Sequence, residues 1–390
     1  MKATGADFAI VSQPRPVRAG ANPKKRSWEH AAARLANDPR AGRPHIARMA
    51  LAHPETSFSQ DEVLALLGLS DDEFAQRIFS RCGVRNRRLT LTDEFLATTV
   101  QGRTLAIEEQ LFGDAVRAID QLEIDPSEIG VVVSATLYSL GGPTIAHRLV
   151  DHYEMDPATD KYHVIGVGCA SAVPLVRLAT QALSEHPGKK ALVVAAESMT
   201  GILMGASSED ARSKTVGSSI FGDGCAAALI DRGGEVDGGG EVGVSRGPAI
   251  VASKVHQIGG TLGAVRMQLA PDDSYLHLIR ELPDVAGEGL DELVDDFLGA
   301  NDIDRGTIDH WLVHPGGRRI IESVQEALGL SREQVADSYG VLAEHGNVGT
   351  PSIFYVMKRM LDRCEPQRGE RALMVTVGPG VTVGLMLLQW

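Results

Sequence analysis

The chain has 390 residues, 43% of them hydrophobic and 5% aromatic, with 42 glycines, enough to bury a large core in one two-part unit or in two domains. A net charge of −13 argues against a nucleic-acid partner, although a local basic patch can still hold an anionic small molecule. No apolar run reaches the roughly 18 residues of a membrane span, and the N-terminal stretch lacks the apolar core of a signal peptide, so a cytoplasmic protein without membrane partners is expected.

Residues 1–42 form a polar extension bearing Pro and basic residues. A first half, residues 43–236, follows. It opens on a strand, "PHIARMALAHP", and a helix, "SQDEVLALLG", with Ser59 as N-cap. The amphipathic helix "DAVRAIDQLEI" feeds the apolar strand "IGVVVSATL". Next come a strand–turn–helix, "KYHVIGVGCAS", the helix "LVRLATQALSEHPG", and the buried strands "KALVVAAES" and "GDGCAAALI". The Gly-rich acidic stretch Asp231 to Gly247 suits a hinge or a wide hairpin turn. The second half, 237–390, repeats the alternation: helix "DELVDDFLGANDI", strand "DHWLVHP", helices "RIIESVQEALGL" and "PSIFYVMKRML", and strands "ALMVTVGPG" and "VTVGLMLLQW". Strand and helix alternate in both halves, which predicts a layered α/β architecture.

Four cysteines, Cys82, Cys169, Cys225 and Cys364, lie far apart with no CxxC pair, so no thiolate metal site is expected. Cys82, Cys225 and Cys364 read as small buried hydrophobes. Cys169 differs because it stands where a strand hands over to a helix, in "VIGVGCASAVPLVRLA". The positive end of a helix lowers a thiol's pKa and favours the thiolate. His314 ends the apolar strand "HWLV" and enters "HPGGRR"; Asn347 sits in the Gly-flanked loop "EHGNVGTPS". Together they can supply a nucleophile, a base or donor, and a second donor. Singly, a strand-end His is more often structural, and Asn beside Gly usually marks a left-handed turn.

The motifs "GCASAVPLVRLA", "SSIFGDGCAAALI", "HWLVHPGGRRIIESV", "EHGNVGTPSIF" and "VGPGVTV" come in an order and spacing that resemble the type III polyketide synthases, the chalcone synthase-like family, from about Pro44 to Trp390. The resemblance implies a thiolase fold of two pseudo-equivalent αβαβα halves forming a five-layered core, and a homodimer. It implies an acyltransferase that needs no cofactor or metal. An acyl starter would pass from coenzyme A to Cys169, and malonyl-CoA would extend it by decarboxylative Claisen condensation, with cyclisation as an option. Cys169 matches the nucleophile, held as a thiolate by protonated His314, and His314 and Asn347 complete the triad. Phe221 matches a gatekeeper between substrate tunnel and reaction chamber. Arg77 and Arg81, at i and i+4 on one helix face, match residues that hold coenzyme A phosphates, and Gly316 and Gly317 are placed against coenzyme A as well.

The chain departs from the family pattern in several places. A third basic position falls on Phe74, a second gatekeeper on Leu276 or Tyr275, and a partner-subunit methionine on Gly142. Two chamber-lining positions, a threonine and a glycine in plant members, fall on Ile202 and Met267, which adds bulk and predicts small starters. Gly349 replaces a small polar residue and is expected to open space on another wall. The competing readings are a β-ketoacyl-ACP synthase III-like enzyme making one condensation, and a non-catalytic thiolase-fold subunit.

Overall fold

The computed structural model describes residues 42–91, 95, 98–138, 141–200, 211–232, 247–269 and 274–390. Most of the N-terminal extension, Ile202 and residues 233–246, which hold most of the Gly-rich connector, lie outside them.

In chain order the first half contributes strands β1 (Pro44–Ala52) and β2 (Ser57–Ser59), helices α1 (Gln60–Leu66) and α2 (Glu73–Arg81), and strand β3 (Asn86–Arg88). Then come α3 (Val100–Asp120), β4 (Ile129–Ala135), α4 (Ile145–His152), β5 (Asp160–Val164), α5 (Ala172–Ala182), β6 (Lys190–Glu197), α6 (Ala211–Ile220) and β7 (Gly224–Arg232). The second half contributes β8 (Ala249–Gln257), the hairpin β9 (Val265–Leu269) and β10 (Ser274–Leu278), α7 (Leu282–Gly287), α8 (Leu290–Gly299) and β11 (His310–Val313). It closes with α9 (Arg318–Leu328), α10 (Ala336–His345), α11 (Ser352–Arg363), β12 (Arg371–Gly378) and β13 (Thr382–Gln389). Local chemistry sets several of these boundaries. Ser59 caps α1 in a reciprocal capping box with Glu62, as its position predicts.

The two halves repeat one pairing pattern. β1 pairs antiparallel with β7, β7 antiparallel with β6, and β6 parallel with β4. β8, β13, β12 and β11 follow the same antiparallel, antiparallel, parallel series. The runs join into a nine-stranded sheet, β11-β12-β13-β8-β1-β7-β6-β4-β5, where β1 and β8 touch at the single register pair His45↔Ala249.

Three apolar cores explain the layering. One joins α3 to the outer face of the first run, with Ile107, Leu111 and Ile119 against Val132, Leu192 and Leu229. A second joins α8 and α9 to the outer face of the other, through Val294, Ile321, Leu373 and Leu385. Between them α5 and α11 form a middle layer that packs on strands of both runs, through Val173, Val176, Ile353 and Phe354. This is the expected order of helix, sheet, helices, sheet, helix. β4 is buried along its whole length, so every Val and Ile in it is withdrawn from water, at roughly 1.5–3 kcal/mol each. α5 and α11 matter most for function, because Cys169 and Asn347 lie just ahead of their first turns.

The strand of the "KYHVIGVGCAS" segment, β5, ends at Val164 and forms the edge of the sheet, its residues half-buried or exposed. Cys82 and Cys364 are likewise half-buried, whereas Cys225 is fully buried.

Candidate active site

A one-turn 3-10 helix, Gly168–Ala170, carries Cys169 and leads into α5. Gly168 takes φ +55°, and a Cβ there would meet Pro379 Cδ at 2.8 Å; a Cβ on Gly378 would meet the backbone nitrogen of Ala170 at 2.6 Å. The "GPG" loop of the second half therefore rests directly on the nucleophile turn, a close approach that only glycine permits.

His314 follows β11. Its N–H donates to the Val375 carbonyl at 2.9 Å, which fixes the backbone, and the residue is 1% exposed. Neither ring nitrogen has a hydrogen-bond partner among the described residues. Asn347 stands in the loop between α10 and α11 and is 3% exposed. Its Oδ1 accepts from the Gly349 N–H at 2.9 Å and from Ser352 Oγ at 3.2 Å. With the oxygen so engaged, Nδ2 donates to the Gly316 carbonyl at 3.4 Å, and Cys169 Sγ stands 3.9 Å from both Nδ2 and Oδ1. Gly316 also borders the His314 ring, 3.2 Å from Cδ2 to where a Cβ would stand. The three residues singled out in the sequence, 145 and 33 positions apart along the chain, thus converge, Asn347 against Cys169 directly and His314 beside Gly316, to which Asn347 donates.

Burial opposes the charged pair that the resemblance implies. Burial pushes the Cys169 thiol up to about 12, and the neighbouring Glu197 carboxylate adds to that. Burial alone pushes His314 down to about 3. Desolvation disfavours both charged forms, which weighs against a thiolate–imidazolium pair, although the Cys169 residue itself is only half-buried. The helix terminus does not reverse this, because the 3-10 turn sets Cys169 three residues ahead of Ala172 and the helix field fades within a turn.

Glu197 escapes a reading of sequence. It ends β6 at 3% exposure, accepts from the Leu137 N–H at 3.0 Å and lies 3.1 Å from Thr350 Oγ1, and burial raises its pKa to about 7. One charged residue closing the apolar run "ALVVAAE" is the only local sign of it. Gly349, expected to open space, instead makes room for this glutamate: a Cβ there would lie 3.1 Å from Glu197 Cγ.

Of the predicted pocket residues, Phe221 and Leu276 are buried, and both lie against the backbone of Gly217. Met267 pairs across the hairpin with Leu276 and is half-buried. It lines a cavity of about 350 Å³ that also touches Gly168, Leu137 and Pro379. Arg77 and Arg81 are exposed on α2. Phe74, on the same helix face, lies beneath the guanidinium of Arg212, 5.2 Å from the ring centre. Gly317 precedes α9.

The family described as FAE1/Type III polyketide synthase-like protein matches residues 49–237, and the chalcone and stilbene synthase C-terminal domain matches residues 249–390. The chain is 29% identical to a 3,5-dihydroxyphenylacetyl-CoA synthase of Streptomyces toyocaensis, covering 90% of this chain and 91% of that one. It is 31% identical to the alpha-pyrone synthesis polyketide synthase-like Pks18 of Mycobacterium tuberculosis, over 70% of this chain and 68% of that protein. The crystal structure of PKS-I from the brown alga Ectocarpus siliculosus superposes with a TM-score of 0.79 at 26% identity, covering 90% of this chain and 99% of that one. With a thiolase fold built of two matching halves, and both of those halves matched in turn by the family's own domains, the chain belongs to the type III polyketide synthases.

Proposed function

We propose that this polyketide synthase takes an acyl starter from coenzyme A onto Cys169 and extends it with malonyl-CoA, working as a cytoplasmic homodimer with no cofactor beyond its thioester substrates. The observation that carries the reading is the placement of the Asn347 amide beside Cys169, its oxygen held by Gly349 and Ser352 and its N–H₂ turned to the Gly316 carbonyl, with Sγ 3.9 Å from either end.

Loading starts from the neutral pair. His314 takes the thiol proton as Cys169 attacks the thioester carbonyl, and the departing coenzyme A thiolate recovers that proton. In the second half-reaction the malonyl thioester oxygen accepts from the Asn347 amide and the His314 ring N–H. Carbon dioxide leaves, the enolate charge develops on that oxygen, and donors fixed beforehand stabilise it without reorganisation. The enolate carbon then attacks the acyl group on Cys169, whose thiolate leaves and takes up a proton from solvent to restore the thiol. Phe221 and Leu276 would form the gate and Met267 a chamber wall. Arg77 and Arg81 would hold coenzyme A phosphates; Arg212, stacked on Phe74, adds a cation to that face, where a third basic residue stands in plant relatives.

The test is incubation with malonyl-CoA and an acyl-CoA starter, with no carrier protein, followed by mass spectrometry. Products longer by two carbons per cycle support the reading. Condensation only with carrier-bound malonate points to a β-ketoacyl-ACP synthase III-like enzyme instead.

A further inference from the structure

Arg87 on β3 is 0% exposed, and its guanidinium forms no ion pair among the described residues. A buried unpaired cation is costly, so its surroundings must compensate. Nη1 donates to the Phe221 carbonyl at 2.9 Å, Nη2 donates to Gln60 Oε1, the Phe79 ring lies 5.6 Å away, and Nε has no partner among the described residues. Phe221 directly follows α6, whose last carbonyls would otherwise be unsatisfied. Three segments serve them: Gln60 Nε2 donates to Ser219 at 2.9 Å, the Asn347 N–H to Ile220 at 2.7 Å, and Arg87 to Phe221. The negative end of a helix is a favourable place for a cation, and here it adds to the attraction of the buried Asp223 carboxylate, which lies near but forms no ion pair with Arg87.

That helix end also holds Asn347. Phe221 and Asn347 form a parallel β-bridge, and the Gly222 N–H returns a bond to the Asn347 carbonyl at 3.0 Å. The strands pass so closely that a Cβ on Gly222 would lie 2.4 Å from the His345 carbonyl, and one on Gly346 2.5 Å from that of Ile220. Arg87's own strand is tied to both sides, since Asp223 N–H donates to Arg88 at 2.8 Å and Arg85 N–H to Ala343 at 2.8 Å.

We propose that Arg87 is a positioning residue that sets the gate, Phe221, and the amide donor, Asn347, as one unit. The assignment of those two roles rests on the function proposed above. Arg87 reaches no substrate; it acts through the Phe221 carbonyl and the backbone bridge. Losing it frees the end of α6, and both side chains move together.

The experiment compares wild type with Arg87→Met, which keeps bulk but removes the charge and the fork of donors. Turnover in malonyl-CoA decarboxylation is normalised to the amount of Cys169 that accepts an acyl group, and hydrogen exchange is followed in residues 217–224 and 343–350. The expected result is turnover per acylatable cysteine lower by about 100-fold with KM for malonyl-CoA little changed, since a transition-state donor is displaced. Exchange should quicken in those two segments only, and the ratio of kcat/KM for a bulky over a small starter should shift. A variant merely less stable would show fewer active sites with unaltered turnover, and exchange raised throughout the chain; that result overturns the proposal, as does no change at all. Should Arg87→Met not fold, Arg87→Lys carries the same readouts at smaller amplitude, and unchanged values there are equally fatal. The exchange measurement needs no substrate, so it judges the positioning even if wild type makes no polyketide, an outcome that counts against the function instead.

Discussion

Thr350 Oγ1 lies 3.1 Å from Glu197 Oε1 and 3.0 Å from the Gly168 carbonyl, directly behind the nucleophile turn. A hydroxyl has one proton to give. If it goes to Gly168, the contact with Glu197 is satisfied only when Glu197 is protonated; if Glu197 is ionised, the proton turns to the carboxylate. Titration of Glu197 near neutrality thus alters both the charge beside Cys169 and the hydrogen bond on the residue before it.

Replacing Glu197 with Gln keeps the hydrogen-bonding shape and removes the charge. Because the Glu197 carboxylate raises the thiol pKa, Glu197→Gln should speed alkylation of Cys169 by iodoacetamide at pH 8 several-fold, a lowering of one pKa unit giving about ten times more thiolate. In the wild-type protein the alkylation rate should climb with pH through the alkaline range, without a plateau at neutrality. A wild-type plateau at neutral pH would instead mean a standing thiolate.

The same residue sets a pH dependence of stability. Its folded pKa is raised, to about 7, so the folded state holds a proton that the unfolded state has released. Its contribution is fully present below the unfolded value, about 4.3, and is lost as pH rises through about 7. Thermal unfolding at pH 5 and pH 8 should therefore show a smaller decline in Tm for Glu197→Gln than for wild type. Equal declines would show that the carboxylate is not buried as described.

What is legible in the sequence, and what is not, follows from how local each signal is. Cys169 directly follows Gly168, His314 ends the apolar run "HWLV" ahead of "PGG", Asn347 stands in the Gly-flanked loop "GNVG", and the duplicated strand–helix alternation foretells the repeated pairing of β1-β7-β6-β4 and β8-β13-β12-β11. The thiol's ionisation is not local. It depends on desolvation by the opposite half and on Glu197, whereas only the helix terminus shows in the chain. Arg87 is hidden in the run "RNRR", where one arginine is buried and its neighbours Arg85 and Arg88 are exposed or half-buried. Gly349 reads as an emptied wall until Glu197, 152 residues away, is seen to fill it.

Removing single site residues should separate the half-reactions. Cys169→Ala should lose acyl loading and condensation yet keep malonyl-CoA decarboxylation, because His314 and Asn347 would still hold the enolate. Asn347→Ala should reduce decarboxylation by about 100- to 1,000-fold, the usual cost of one oxyanion donor, and loading far less. Assayed by release of carbon dioxide and by mass of the acyl-enzyme, equal losses in both steps would refute this division.

The exposed arginines make a prediction about salt. Arg77→Ala, Arg81→Ala and Arg212→Ala should each raise KM for coenzyme A thioesters with kcat held, and the effect should shrink at high ionic strength as the attraction is screened. A short thioester without phosphates should be used equally well by the variants and by wild type. Equal impairment on that substrate would assign the arginines a structural part.

Product length should be set in part by Met267. It lines the cavity of about 350 Å³ beside Gly168, and its cross-strand partner Leu276 packs toward Phe221 at Gly217. Interiors are too tightly packed to absorb an added side chain without loss of space, and Gly349 returns none, since Glu197 occupies that side. Small starters and early termination should follow. Met267→Ala is preferred to Met267→Gly, which would also weaken the strand by roughly 0.5–1 kcal/mol. Assayed with acetyl-CoA and with a bulky aromatic thioester, Met267→Ala should yield products at least one malonyl unit longer or gain activity on the bulky starter. An unchanged product profile from a folded variant would remove Met267 from the chamber wall and leave chain length to be set elsewhere.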